Sequence, residues 1–267
     1  MNLKSFFFLT ISLILFGCSK DDEPSQNETN KSIPKVTINS NGTTSTGVTF
    51  SQIDATTFYL DYIKYEIVDS HLEIIGYDPE EIKSKVIPYG IVGLNGSTYN
   101  TRIVSLGAFE DCPKMKEIIL PNTITTIEES AFRCRSLTNI VLPASLLEIE
   151  AGAFNYSSKL ESIIIPNGIT SIPYVMCLDC HNLKKVVLPK NIKTIAPGAF
   201  YNCDALTDIY VSGKPECDGP ESFTPGYYPP VFSQYNATIH TTKENFEWIK
   251  QAKIWSNFKN IVADYNP

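Results

Sequence analysis

The sequence is short of the residues that carry most enzyme chemistry. Of 267 residues only 3 are His and 2 are Trp. His71, His181 and His240 are scattered, and none lies in a metalloprotease helix motif or beside a nucleophile signature. No glycine-rich phosphate loop is present. Paired catalytic carboxylates need a pocket to work in, and nothing around the one acidic turn, Asp78-Pro79-Glu80-Glu81, implies one. These gaps argue against an enzyme and give no reason to expect a cofactor or a metal. Charged residues make up 19% of the chain and the formal net charge is -7. No run of Lys or Arg stands out, which argues against nucleic acid as a partner. No apolar run reaches the roughly 20 residues that a membrane-spanning helix needs.

The first residues read as a secretory leader: Lys4 supplies a positive start and Phe6 to Phe16 is apolar apart from Thr10 and Ser12. The run ends in Leu15-Phe16-Gly17-Cys18, which resembles the lipobox cut by the lipoprotein signal peptidase, with Cys18 as the acylated residue. The competing reading is an ordinary leader with a chance cysteine. Acyl chains hold by burying methylenes, about 0.8 kcal/mol each, and several chains anchor where one does not. Ser19-Lys20-Asp21-Asp22-Glu23 resembles the acidic export signal of surface lipoproteins in Gram-negative bacteria; otherwise it is a solvated charge cluster. The expected location is therefore the outer membrane, lipid-anchored and facing outward, with the anchor as the sole membrane contact.

Residues 1–17 are thus expected to be removed, and 18–51, rich in Ser, Thr, Asn and Gly, to form a lipidated, disordered tether. From Phe58 to Ile75 aromatic and aliphatic residues alternate with turn residues at Asp61 and Asp69-Ser70, which predicts β-hairpins. Residues 52–103 form an N-terminal β cap in this reading.

Periodicity dominates the rest. Phe109, Phe132, Phe154, Cys177 and Phe200 fall 22 or 23 residues apart. Further columns align with them: Met115, Leu137, Leu160, Leu183 and Leu206, then the strand-like pairs Ile118/Leu120, Ile140/Leu142, Ile163/Ile165, Val186/Leu188 and Ile209/Val211. Pro121, Pro143, Pro166 and Pro189 close four of the strands, since proline cannot donate to a ladder. One such unit cannot bury its apolar side, so the period predicts a solenoid. The fold class is a leucine-rich-repeat solenoid, mainly β, with about five 22–23-residue repeats over 104–211. Five rungs at one strand spacing give a stack of about 24 Å. Residues 212–267 form a C-terminal cap with a short helix, for which Thr241-x-x-Glu244 reads as a capping box.

The pattern Ile-x-x-Ile-x-x-x-Ala-Phe-x-x-Cys-x-x-Leu-x-x-Ile-x-Leu-Pro, followed closely by residues 124–143 with one deletion, resembles the BspA-type leucine-rich repeats of bacterial surface proteins. Val86-Ile87-Pro88 to Tyr99 resembles the family's entry segment, and Ala237 to Ile261 its closing cap. The departures are Cys177 for the column Phe, the missing proline after Val211 and a blurred first repeat. The resemblance implies a non-catalytic surface module that binds an extracellular or cell-surface protein, host matrix included.

The chain holds 7 cysteines. Cys112, Cys180 and Cys203 share a column, with Cys134 shifted by the deletion and Ser157 filling the same place, where a thiol acts as a small buried group. Cys177-Leu178-Asp179-Cys180 also fits a redox or half-zinc CxxC, but both residues already have column roles. A disulfide between neighbouring columns stays open, and Cys217 has no assignment. Strand alternation turns Ile119, Val141, Ile164, Val187 and Tyr210 outward, bordered by Glu117, Asn139, Ser162, Lys185 and Asp208. Such an apolar stripe with a polar border marks a protein-binding face; equally, β-branched residues simply suit strands. The alternative function is an accessory glycan-binding lipoprotein of a nutrient-uptake system, with Tyr227, Tyr228, Tyr235, Trp248 and Trp255 as stacking platforms.

Overall fold

A computed structural model describes residues 33–217 and 229–267. Its repeat region is the solenoid that the period predicts. Each turn contributes one rung to three hydrogen-bonded rails. The first rail consists of the strands β6 (Lys85–Val86), β9 (Glu117–Ile119), β11 (Asn139–Val141), β13 (Ser162–Ile164), β15 (Lys185–Leu188), β17 (Asp208–Val211), β19 (Thr238–Thr241) and β20 (Asn260–Val262). They form two parallel sheets, β6 to β11 and β13 to β20. The second rail has two-residue strands: β10 (Thr126–Ile127), β12 (Glu148–Ile149), β14 (Ser171–Ile172), β16 (Thr194–Ile195) and β18 (Glu216–Cys217). The third is the corner that carries the column phenylalanines. There Phe109 N–H donates to Ala131 O, Phe132 to Ala153, Phe154 to Met176, Cys177 to Ala199 and Phe200 to Val231, at 2.8–2.9 Å.

Local chemistry explains each bend. The prolines do more than end the strands: the carbonyls of Pro121, Pro143, Pro166 and Pro189 each accept the N–H of the core residue three positions on, at 3.1–3.2 Å, closing a tight turn. At the corner, one residue per repeat has positive φ, namely Gly107, Ser130, Gly152, Val175 and Gly198. A second left-handed residue follows at Asp111, Tyr156, Asp179 and Asn202 but not in the repeat that begins at Ser130. The deletion after Phe132 has therefore removed one turn residue and left the core columns in place.

Inside, Phe109, Phe132 and Phe154 stack with centroids 5.4 and 5.5 Å apart. Tyr77 extends this spine into the N-terminal cap and Phe232 extends it past Phe200. All are buried except Tyr77, which is half-buried; each full burial is worth about 1.5–3 kcal/mol. In the fourth repeat Met176-Cys177 replaces the Ala-Phe of its neighbours, and both side chains are fully buried. The larger residue at the alanine position offsets the smaller one at the aromatic position.

The N-terminal cap is a twisted sheet containing β2 (Phe50–Gln52), β3 (Thr57–Leu60), β4 (Ile63–Val68) and β5 (His71–Tyr77), an antiparallel meander as predicted. β5 then pairs in parallel with β8 (Ser97–Val104), which forms a hairpin with β7 (Ile91–Leu94) and leads into the second rail through β10. β1 (Lys35–Ile38) lies parallel to β7. That corrects the tether: its expected span of 18–51 overlaps β1 and β2, so folded structure begins before residue 52. Val36 and Ile38 are buried by partners more than fifty residues away in sequence.

The C-terminal cap also differs from expectation. β19 and β20 are further rungs of the first rail, beyond the expected end at 211, so the rail has eight rungs among the described residues and on the same count runs about 38 Å. The capping box is not made. Helix α1 (Phe246–Ile249) has Asn245 at its N-cap with no side-chain capping bond, because Thr241 is a buried rung residue that donates to Val211 O at 2.9 Å. Asn245 instead donates to Ser212 O at 2.7 Å. Trp255 and Phe258 close the open end against Phe232, and the Trp255 indole donates to Pro215 O.

Candidate interaction surface

The first rail places the predicted stripe in register. Ile119 pairs with Val141, and Ile164 with Val187 and then Tyr210, each one rung above the last. All five are half-exposed while the residues on either side of them in each strand are buried or polar. The parallel pairing of β6 adds a member that the repeat pattern did not reveal. Val86 pairs with Ile118, which puts Ile87 beside Ile119, and Ile87 is 45% exposed. The available signal was the Val86-Ile87-Pro88 triplet, a compressed copy of the strand-then-proline pattern.

The border is polar. Lys85 pairs with Glu117 at 2.8 Å, followed by Asn139, Ser162 and Lys185. At the C-terminal end the stripe changes character. The Tyr210 ring stacks on His240 at 4.4 Å, and Lys185 Nζ lies 4.7 Å from the same ring's centroid. His240 meets Asp208 at 3.0 Å through Nε2 and Asp264 at 2.9 Å through Nδ1, and Tyr265 packs edge-on against Tyr210. Tyr210 is therefore a stacked, polar-bordered end to the stripe and not a bare platform. The apolar length runs from Ile87 to Val187.

The other candidate residues have structural duties. Burial pushes the thiols of Cys177, Cys180 and Cys203 up, most strongly in the last two, which leaves them inert as nucleophiles. Column polar groups donate to the main chain of the preceding repeat: Ser157 to Phe132 O at 2.5 Å, Cys180 to Phe154 O at 3.1 Å and Cys203 to Cys177 O at 3.2 Å. The deletion redirects Cys134 to Cys112 O at 3.1 Å. A hydroxyl serves this purpose as a thiol does, which is why Ser157 fits a cysteine column. Cys112, Cys134, Cys177, Cys180 and Cys203 are buried thiols outside any disulfide, and Cys217 takes a second-rail position opposite Ile195.

Among the described residues the histidines and the acidic turn have local partners. Ser105 donates to one oxygen of Glu73 at 2.8 Å and His71 meets the other at 3.3 Å. The carboxylate thus stands between imidazole and hydroxyl, where general-base activation needs the imidazole on the hydroxyl. His181 is exposed and pairs with Asp204. Asp78 accepts the N–H groups of Glu80 and Glu81, so the acidic turn is a structural one. Among the described residues no three His, Cys, Asp or Glu side chains are placed to hold a metal ion, and no helix is long and apolar enough to cross a membrane. Tyr235 packs edge-on against Phe232 and Phe258, Trp248 packs on the core and Trp255 is buried. These three are cap residues. Tyr227, Tyr228 and Cys18 lie outside the described residues.

Comparison with known proteins agrees with this geometry. Residues 98–223 match the model of the BspA type leucine rich repeat region in six copies. A leucine-rich repeat protein from T. pallidum is 26% identical, with 60% of this chain and 71% of that one aligned at a TM-score of 0.51. The pneumococcal vaccine antigen PcpA is 17% identical over 79% of this chain and 48% of its own, with a TM-score of 0.56. A leucine-rich repeat protein from Eubacterium ventriosum is 20% identical over 62% and 41%, with a TM-score of 0.53. The last two likenesses concern the fold alone, and this chain spans about half of PcpA or less of the other. No curated protein matches the sequence.

Proposed function

We propose that this chain, whose residues 98–223 are a BspA-type leucine-rich-repeat region, is a non-catalytic surface lipoprotein that binds another protein through its first-rail face. The observation that carries the reading is the band Ile87, Ile119, Val141, Ile164 and Val187. It spans five rungs, is half-exposed or more, and has a polar column along its border. Contiguous apolar surface of this kind on a soluble domain marks a contact site. The partner fitted to it is an extracellular or cell-surface protein, host matrix proteins included.

The anchor belongs to the same proposal. Lys4, the apolar run to Phe16 and Gly17-Cys18 support acylation at Cys18, which would hold the domain at the outer face of a Gram-negative outer membrane. Labelling with radioactive palmitate should mark the wild-type protein and be lost in Cys18→Ala; label retained by that variant refutes the anchor. The face is tested by surface plasmon resonance against purified matrix proteins. Ile164→Glu with Val187→Glu should weaken binding at least about tenfold with an unchanged melting temperature, since two desolvated apolar contacts are lost. Full affinity in the double variant would remove the first-rail face from consideration. Tyr235, Trp248 and Trp255 are committed to the cap, so no observation favours the glycan-binding alternative at them.

A further inference from the structure

The rungs are not evenly joined. Between the rung of β11 and β12 and the rung of β13 and β14, both strand rails lose their ladder pairing, whereas the neighbouring rungs keep it on both. On the first rail, Leu120 N–H donates to Val141 O at 3.1 Å and Ile165 N–H to Val187 O at 3.0 Å. Among the described residues the equivalent bond from Leu142 to Ile164 O is missing. On the second rail, Leu147 N–H donates to Thr125 O and Lys193 N–H to Thr170 O, but no bond runs from Thr170 to Leu147 O. The ring stack stops at the same level. Tyr77, Phe109, Phe132 and Phe154 are stacked, Cys177 follows, and stacking resumes between Phe200 and Phe232.

Local chemistry accounts for the gap on the second rail. Glu128, Glu150 and Ala196 each donate a backbone N–H to the rung before, to Val104, Ile127 and Ile172 O at 2.9 Å. The residue of that column between Glu150 and Ala196 is Pro173, which has no N–H to offer Ile149 O. At the turn that precedes it, Gly168 sits directly on Leu146 O, where any Cβ would collide, so the two turns touch backbone to backbone. The corner rail is intact. Gly152, Phe154 and Tyr156 N–H groups donate to Tyr174, Met176 and Leu178 O at 2.8–3.0 Å, and Glu161 N–H reaches Thr138 O just before the first rail begins. These two rungs are therefore laddered along one side and only in contact along the others.

The stability of a solenoid is a sum of repeat terms and nearest-neighbour interfaces, so an interface short of bonds on two rails is the first to yield. We infer that this interface is a bending joint, at which the rungs from β6 to β12 and those from β13 to β20 tilt against each other about the corner rail. The tilt opens and closes the first rail between Leu142 and Ile164 and the second between Ile149 and Pro173. The joint crosses the apolar band between Val141 and Ile164. Ile87, Ile119 and Val141 then move as one block and Ile164 and Val187 as another, and the face changes its curvature to fit a partner. That consequence rests on the proposed binding function; the joint itself does not.

The test needs no partner. Methyl relaxation dispersion on the full chain, labelled at Ile, Leu and Val, reports motion on the microsecond-to-millisecond scale of collective bending. Val141, Leu146, Ile149, Ile164, Ile169 and Ile172 flank the joint and should show dispersion. Ile118, Ile209 and Ile239 lie away from it and should not. Amide exchange at Leu142 and Thr170 should run at least about tenfold faster than at the equivalent positions Leu120 and Lys193, as expected for about one net hydrogen bond each. Pro173→Ala restores the missing donor, so it should slow exchange at Thr170 about tenfold and flatten the dispersion at Ile149 and Ile172. Gly168→Ala wedges the turns apart and should enlarge the dispersion at Leu146 and Ile169. Neither substitution touches a core column, and an unchanged circular dichroism spectrum verifies the fold. Flat dispersion around the joint in the wild type, equal dispersion in every repeat, or wild-type motion persisting in Pro173→Ala would overturn the joint. Failure to bind matrix proteins leaves these readouts unchanged and counts against the first-rail function alone.

Discussion

The Met176-Cys177 pair offers a quantitative check on how the solenoid interior is filled. The corners at Phe109, Phe132, Phe154 and Phe200 have Ala followed by Phe, and here both replacements are fully buried. Cys177→Phe alone inserts a ring beside an intact methionine. Overpacking of that kind costs about 1–3 kcal/mol. Met176→Ala alone leaves a cavity where the thioether lay, for about 2–5 kcal/mol. Together the two changes recreate the neighbouring repeats' pair and allow an unbroken stack from Phe154 to Phe200. The double variant should therefore be more stable than the summed single losses predict, by a coupling of about 1–3 kcal/mol. At about 2–4 °C per kcal/mol for a chain of this size, the single variants melt several degrees below wild type and the double variant several degrees above the value that their summed losses predict. Differential scanning calorimetry on all four proteins closes the cycle. Additive losses would mean that the two positions fill separate spaces, and the compensation argument would fail.

Two further outcomes follow from the corner. Cys180→Ser should cost less stability than Cys180→Ala in urea denaturation, because the hydroxyl can donate to Phe154 O as Ser157 does to Phe132 O, whereas the methyl leaves that carbonyl with the Ser157 N–H alone, a loss of about 0.5–1.5 kcal/mol; an alanine variant as stable as the serine variant would refute the bond's contribution. Val175 holds φ at 47° where neighbouring repeats place Gly or Ser, and a β-branched residue there is strained by about 1–2 kcal/mol. Val175→Asn should raise the melting temperature by a few degrees, and a fall would show that the valine's contacts outweigh its strain.

The parts of the fold legible in the sequence were those with a repeated local cause. A core residue recurs every 22 or 23 positions because each rung repeats the same inward geometry, so Phe109 to Phe200 could be aligned with no coordinates. Non-repeating contacts were invisible. Lys35–Ile38 offers only two apolar residues and pairs with Ile91–Leu94, which follows the whole antiparallel meander in sequence, so composition alone assigned it to the tether. Thr241-x-x-Glu244 has the spelling of a capping box, but Thr241 was already engaged by Val211 O. Ile87 lay one rung before the first recognisable repeat.

Strand propensity alone does not explain the outward stripe. Each first-rail strand from β9 to β15 turns two positions outward, both paired in the ladder, and Ile87 continues the second column just past β6. If β-branched side chains were there merely because they suit strands, both outward columns would be enriched in them. One column reads Lys85, Glu117, Asn139, Ser162 and Lys185, with no β-branched residue. The other reads Ile87, Ile119, Val141, Ile164 and Val187, all β-branched aliphatics. The first column shows that the fold accepts charged and small polar residues on this face. Aliphatic residues on five consecutive rungs of the second are therefore surplus to folding, and they expose apolar surface that a soluble protein keeps at a cost. Threonine would have met the same strand preference without that exposure. The difference between two columns of one sheet is the reason to look for the partner on this face.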